Sequence, residues 1–173
     1  PQSRSQLQSV PTTSPKERGL LMDDAANLGA PEIISAIERA TALVGTSMAS
    51  DPRTCSLLRT LARTKPGGRL LELGTGTGLA TAWILDGMDQ HATLDSVDND
   101  PKVLGVAKVY LDSDPRLTLH ECDGDDFIRS LVAKRRRFDF IFADSWPGKL
   151  RLLHETLGLL NPGGLYVVDD MLP

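Results

Sequence analysis

The sequence predicts an α/β protein built on a doubly wound, mostly parallel sheet. Three observations carry that prediction. From residue 69 onward, short apolar runs of strand length alternate with segments of helical period, and alternation at such short spacing closes right-handed β–α–β units. The runs at 138–143 and 164–168 are nearly unbroken in apolar character, as strands covered by helices on both faces are. The stretch LLELGTGTGLAT, residues 70–81, passes from an apolar run through three glycines at every second position into helix formers. In a doubly wound sheet, a glycine-rich turn after the first strand lies at the edge where ligands bind.

The chain has 173 residues, 40% hydrophobic and 24% charged, which fits one domain with a full core. A formal net charge of -4 gives no broad electrostatic case for nucleic acid or an anionic membrane as partner. No apolar run approaches the ~20 residues of a membrane helix, and no signal-peptide h-region opens the chain. Cys55 and Cys122 make no metal-type pair. They read as buried, reduced thiols of a cytoplasmic protein. The chain begins at Pro1 and ends at Pro173, so both ends read as trimmed.

Residues 1–19 are polar and Pro/Ser-rich and read as a mobile tail. Residues 20–68 carry N-terminal helices, and 69–173 the sheet-bearing core. In 31–46, Ile33, Ile34, Ile37, Ala40 and Leu43 recur at helical spacing, with Pro31 suited to the first helical position. In 48–68, Asp51 is the expected N-cap and Pro52 the first helical residue. Leu57, Leu58 and Leu61 make the apolar face, and Lys65-Pro66-Gly67-Gly68 ends the helix. Strands are expected at 69–73, 92–98, 116–121, 138–144 and 164–170, with helices at 79–88, 101–111, 125–134 and 148–160 between them.

The loop Gly74-Thr75-Gly76-Thr77-Gly78 permits a tight turn and close approach of backbone N–H groups to a ligand. A dinucleotide fingerprint would place Gly or Ala where Leu79 stands. Asp98 ends the second strand twenty residues beyond Gly78, where a carboxylate can accept both hydroxyls of a ribose. Asp100-Pro101 starts the next helix. Asp125, after Gly124, can accept from an adenine amino group or simply favour the positive end of its helix.

Taken together, ELGTGTG, Asp98, Gly124-Asp125, FDFIFAD and LLNPGGLYVVDD resemble the class I S-adenosylmethionine-dependent methyltransferases, over residues 48–173. Met48-Ala-Ser-Asp-Pro52 and Asp144-Ser145-Trp146 are similar to stretches of the small bacterial and catechol-type O-methyltransferases, and YVVDDMLP looks like a bacterial group among them. The resemblance implies a Rossmann-like sheet of order 3-2-1-4-5 and methyl transfer, to an oxygen of a small molecule. It implies that Glu72 and the backbone of Gly74, Thr75, Gly76 and Gly78 hold the methionine end, Asp98 the ribose, and Asp125 a place near the adenine. Trp146 would pack on cofactor or substrate; the competing reading is a core Trp. The positions matching the family's Mg²⁺ ligands are Asp144, Asp169 and Asp170, with Asp170 in place of an Asn. Such a divalent cation would bind and acidify a substrate hydroxyl; alternatively Asp169 and Asp170 merely cap strand ends.

The family's catalytic Lys, three residues after the first metal Asp, is Pro147 here, so no base is carried over. Lys149 is expected to snorkel from the next helix. His154 falls mid-helix at a surface or packing position, His91 and His120 carry no motif, and Lys134-Arg135-Arg136-Arg137 reads as a solvated turn rather than an RNA patch. The family's sheet continues with two more strands, for which no residues follow YVVDD. Those residues, or a second copy in a homodimer, are expected to cover the apolar edge at 164–168. Two rival functions stand beside methyl transfer: a nicotinamide-dependent oxidoreductase, and a non-catalytic binding protein of methyltransferase fold.

Overall fold

A computed structural model describes residues 28–46 and 50–171 of the chain; the expected tail at 1–19, and Met48, lie outside them. Helix α1 (Ile34–Val44) and α2 (Pro52–Arg63) precede β1 (Arg69–Leu73), α3 (Leu79–Gly87), β2 (Thr93–Asp98), α4 (Pro101–Leu111) and β3 (Leu117–Glu121). Then follow α5 (Gly124–Ala133), β4 (Phe138–Ala143), the short turns α6 (Trp146–Lys149) and α7 (Leu153–Leu157), and β5 (Leu160–Val168). The strands form one five-stranded sheet of order β3-β2-β1-β4-β5, and all four pairings are parallel. The predicted fold class and strand order are observed.

Alternation along β1 builds the core on both faces. Leu70 joins α1, α2, α3 and α4 on one side, while Leu71 and Leu73 join α5 and β4 on the other. The strand order reverses between β1 and β4, and their parallel pairing leaves their carboxyl ends side by side, Leu73 opposite Ala143. The loops after β1, β2, β4 and β5 therefore open on one edge, as the topology requires.

Helix starts follow local chemistry. Asp51 caps α2 by accepting from the Arg53 amide, and Asp100 caps α4 by accepting from that of Lys102, each with proline next. Pro31 is not the first residue of α1. Its carbonyl accepts from the Ile34 amide in a preceding turn, and the helix proper starts at Ile34. The expected helix over 148–160 forms only in part, as the short α7 (Leu153–Leu157). Pro147 (ψ 132) and Gly148 (φ 80) break the helical path, and Leu152 is left-handed. Strand β5 starts four residues earlier than expected, at Leu160, because Asn161-Pro162-Gly163-Gly164 bulges opposite Asp139, with Asn161 donating to the Asp139 carboxylate at 2.8 Å. Among the described residues, β5 has no strand on its outer side.

Helices α2 and α3 touch at a glycine. A Cβ on Gly87 would lie 2.1 Å from the Arg59 carbonyl oxygen, a backbone atom. Gly87→Ala is expected to lower stability by about 1–3 kcal/mol. The urea midpoint would fall with the slope unchanged; an unmoved midpoint would mean the helices separate without cost.

Cys55 is buried, and burial pushes its thiol up to about 12. Cys122, expected to be buried, is exposed, because β3 ends at Glu121 and leaves it in the turn before α5. Arg136 departs from the solvated-turn expectation: it pairs with Asp95 at 3.1 Å, which also holds His120 at 2.8 Å. Among the described residues, no helix is long and apolar enough to cross a membrane.

Candidate functional site

The turn after β1 needs its glycines. Gly74, Gly76 and Gly78 all have positive φ, a region that L side chains rarely enter. A Cβ on Gly74 would lie 3.0 Å from the Asp144 carbonyl, whereas one on Gly76 would meet nothing within 4 Å. Gly76 thus faces open space and Gly74 faces the neighbouring strand end.

The loop amides are largely spoken for. Gly74 and Thr75 donate to the Val97 carbonyl at 2.9 and 3.1 Å, and Gly78 donates to Thr75. Gly76 donates to Asp98 Oδ2 at 2.7 Å. What the loop offers a ligand is close approach, not the free N–H cradle that the sequence suggested. A phosphate needs such donors, so the loop is poorly suited to one.

Glu72 sits beneath the loop, fully buried. Its Oε2 accepts from Thr81 at 2.6 Å and Ser96 at 2.5 Å, and Thr75 joins the chain through Ser96 at 2.6 Å. Burial pushes the carboxyl up to about 8, against the two hydroxyl donors. Neither Glu72 nor the Thr75 side chain lines a cavity of the site; they tie β1, β2 and α3 together under it.

Two lobes of one groove open above. The larger, about 620 Å³, is walled by Gly74, Gly76, Thr77, Asp98, Asp144 and Trp146, among others. The smaller, about 270 Å³, shares Gly74, Asp98, Ser145 and Trp146 with it and reaches Gly124 and Arg151. Asp98 stands where they meet, held by the Gly76 and Asp100 amides. Trp146 is 65% exposed at the mouth of both, which rules out the core-Trp reading. Asp125 lines neither lobe. It pairs with Arg151 at 2.9 Å, while its Oδ1 is buried without a partner.

Six aspartates line the larger lobe: Asp51, Asp98, Asp100, Asp144, Asp169 and Asp170. Among the described residues no Lys or Arg lines it. Asp144 accepts from the Ser50 hydroxyl at 3.1 Å. Desolvation, then the charge of Asp169, raises its carboxyl to about 6 against the Ser50 hydrogen bond and Lys149. Lys149 does not snorkel outward: its ammonium donates to the Asp169 carbonyl at 2.7 Å.

Asp144, Asp169 and Asp170 line one cavity but do not fit a divalent cation. Among the described residues, no group of three His, Cys, Asp or Glu is set to hold a metal ion. The Asp169 carboxylate accepts from the next amide, of Asp170, at 2.9 Å, and Asp170 itself is left-handed and exposed past the strand end. Ser50 and Arg151 were not singled out from the sequence. Ser50 lay inside a noted stretch without a charge to mark it, and Arg151 meets Asp125 only through the fold, across residues far apart in the chain.

A profile of the family described as methyltransferase domain matches residues 71–171. The chain is 26% identical over 163 residues to a protein of Mycolicibacterium vanbaalenii provisionally named an O-methyltransferase, covering 91% of this chain and 71% of that one. A protein of Mycobacterium sp. (strain JLS) with the same provisional name is 29% identical over 122 residues, 68% of this chain and 54% of its own length. The chain thus spans between about half and seven tenths of these curated relatives. Among solved structures, the O-methyltransferase from Bacillus cereus in complex with SAH shares the fold at TM-score 0.73 and 20% identity, covering 81% of this chain and 66% of that chain.

Proposed function

The chain belongs to the methyltransferase-domain family, and from that premise we propose that it transfers a methyl group from S-adenosylmethionine to an oxygen of a small molecule. One observation carries this reading: the larger lobe is lined by six aspartates and, among the described residues, by no Lys or Arg. Such a wall favours a cationic ligand and repels a pyrophosphate. The occupied loop amides argue the same way against a nicotinamide dinucleotide. The SAH bound by the Bacillus cereus relative supports the cofactor.

Bound S-adenosylmethionine supplies a methyl group on a sulfonium, open to in-line displacement. Asp98 accepts from the ribose hydroxyls at the junction of the lobes. Gly76 lets the methionine end lie against the loop, and the smaller lobe takes the adenine between Gly124 and Trp146, with Arg151 held in place by Asp125. Glu72 and Thr75 act from below by fixing the loop. Asp144 holds the proton that the acceptor hydroxyl gives up. No step runs through a divalent cation, because the three acids are not arranged to take one.

Calorimetry tests the reading. S-adenosylhomocysteine should bind and NAD should not; the reverse would establish the oxidoreductase alternative. Binding without transfer to any hydroxyl acceptor would favour the non-catalytic binding protein. Asp98→Ala should weaken S-adenosylhomocysteine by roughly 2–3 kcal/mol, as loss of charge-assisted hydrogen bonds does. Unchanged affinity would move the ribose elsewhere.

A further inference from the structure

The transfer step makes no use of Glu72, a carboxyl fully buried beneath the glycine loop. Its two oxygens differ. Oε2 accepts from the Thr81 and Ser96 hydroxyls, whereas Oε1 is buried without a partner. An ionised carboxylate with one bare, buried oxygen is strongly disfavoured unless a cation stands near it. The groups facing it are acidic or neutral. Asp98 at the end of β2 and Asp144 past the end of β4 act on it by charge. Cys55 faces it from α2, with a thiol that burial keeps neutral. Helix α3 offers the Thr81 hydroxyl, and β4 sets Phe142 beside it. Burial, with the charges of Asp144 and Asp98, outweighs the two hydroxyl donors and pushes the carboxyl up to about 8. Asp98 and Asp144 also wall the larger lobe, so the buried acid and the groove share one field.

Resting on the methyl-donor reading, we propose that Glu72 sets the preference of the site for the charged methyl donor over its neutral product. S-adenosylmethionine and S-adenosylhomocysteine differ by one methyl group and the positive charge on sulfur. Among the described residues, no Lys or Arg on the wall of the lobe offsets that charge. Glu72 gives its proton to solvent as the cation enters, and the resulting carboxylate attracts the sulfonium. In the transfer, the acceptor oxygen bonds to the methyl carbon, the carbon–sulfur bond breaks, and its electron pair stays on sulfur. The positive charge is then gone, and Glu72 takes a proton back from solvent. The donor is held against a carboxylate and the product against a neutral acid. The sign follows from linkage. A nearby cation favours the ionised form of Glu72, so donor affinity relative to product rises as pH climbs through the range around 8. Asp144, held at about 6, is ionised before that range begins.

The test is the affinity of the full chain for the two ligands by calorimetry, between about pH 7 and about pH 9. The ratio in favour of S-adenosylmethionine should rise roughly fivefold, the effect of a shift of about one pKa unit. Glu72→Gln keeps an acceptor for Thr81 and Ser96 but cannot ionise. It should bind S-adenosylhomocysteine within about twofold of the unmodified chain and lose the rise; titration of the ligands themselves is common to both chains. A second measurement needs no variant. At about pH 7.5, in buffers of different ionisation enthalpy, donor binding should release about half a proton more than product binding. A flat ratio in the unmodified chain, the same rise in Glu72→Gln, or equal proton release by the two ligands overturns the role of Glu72 and leaves the methyl-donor reading standing. If neither ligand binds the unmodified chain, the methyl-donor reading falls and takes this role with it.

Discussion

Gly76→Val is expected to abolish S-adenosylhomocysteine binding while the protein still folds. Gly76 sits at φ 53, and a Cβ there would touch no protein atom within 4 Å. The added side chain would project into the groove, so the clash falls on the ligand. The variant also pays a folding cost, because a β-branched residue in the left-handed region is strained by about 1–3 kcal/mol. That cost should lower the thermal midpoint without unfolding the sheet, since the neighbouring turns are held independently by the Val97 carbonyl. Calorimetry should show affinity reduced about a hundredfold or more, with far-ultraviolet circular dichroism unchanged. Gly76→Ala should fall between. If the valine variant binds with full affinity and a native spectrum, the loop is only a turn and the ligand lies elsewhere.

How much of this was legible beforehand differs by element. Strand β1 matches residues 69–73 to the residue, because five residues between Gly68 and Gly74 leave little choice. Helix α4 matches too, fixed by Asp100-Pro101 at its start. The segment after β4 was misread because its leucines recur at helical spacing, while Pro147 and Gly148 override that pattern. Leu150, Leu153 and Leu157 are left exposed, 60%, 40% and 44%, so the periodicity did not report a buried face. At the site, the sequence marked the loop and Asp98 because glycine spacing and a strand-end acid are local signals. It could not mark where the loop amides go, since Val97 and Asp98 come to them from another strand. Nor could it place Ser50 against Asp144, a contact between residues far apart in the chain. The three carboxylates named from the resemblance do line one lobe, but among the described residues no group of three His, Cys, Asp or Glu is set to hold a metal ion, a matter of side-chain placement that sequence positions do not report.

Asp144→Asn is expected to cost methyl transfer about a hundredfold or more, the range of a lost general base, while S-adenosylhomocysteine affinity changes little. Asparagine keeps the shape and can still accept from Ser50, so the change isolates the loss of a proton acceptor. The pH profile makes the attribution specific. Desolvation and the nearby Asp169 hold the Asp144 carboxyl up at about 6, so it is protonated below that pH and ionised above. A base acts in its ionised form. Transfer to a hydroxyl acceptor should therefore rise from about pH 5 to about pH 7 and then level. In Asp144→Asn that limb should vanish, leaving a flat, slow rate. A chelator separates this from cation catalysis. Since the acids do not form a cation site, EDTA should leave the rate of the unmodified chain intact, and Asp170→Asn should be nearly silent. A rate that collapses in EDTA and returns with Mg²⁺ would restore the cation as the group that acidifies the hydroxyl. An acid limb that persists in Asp144→Asn would assign it to another group.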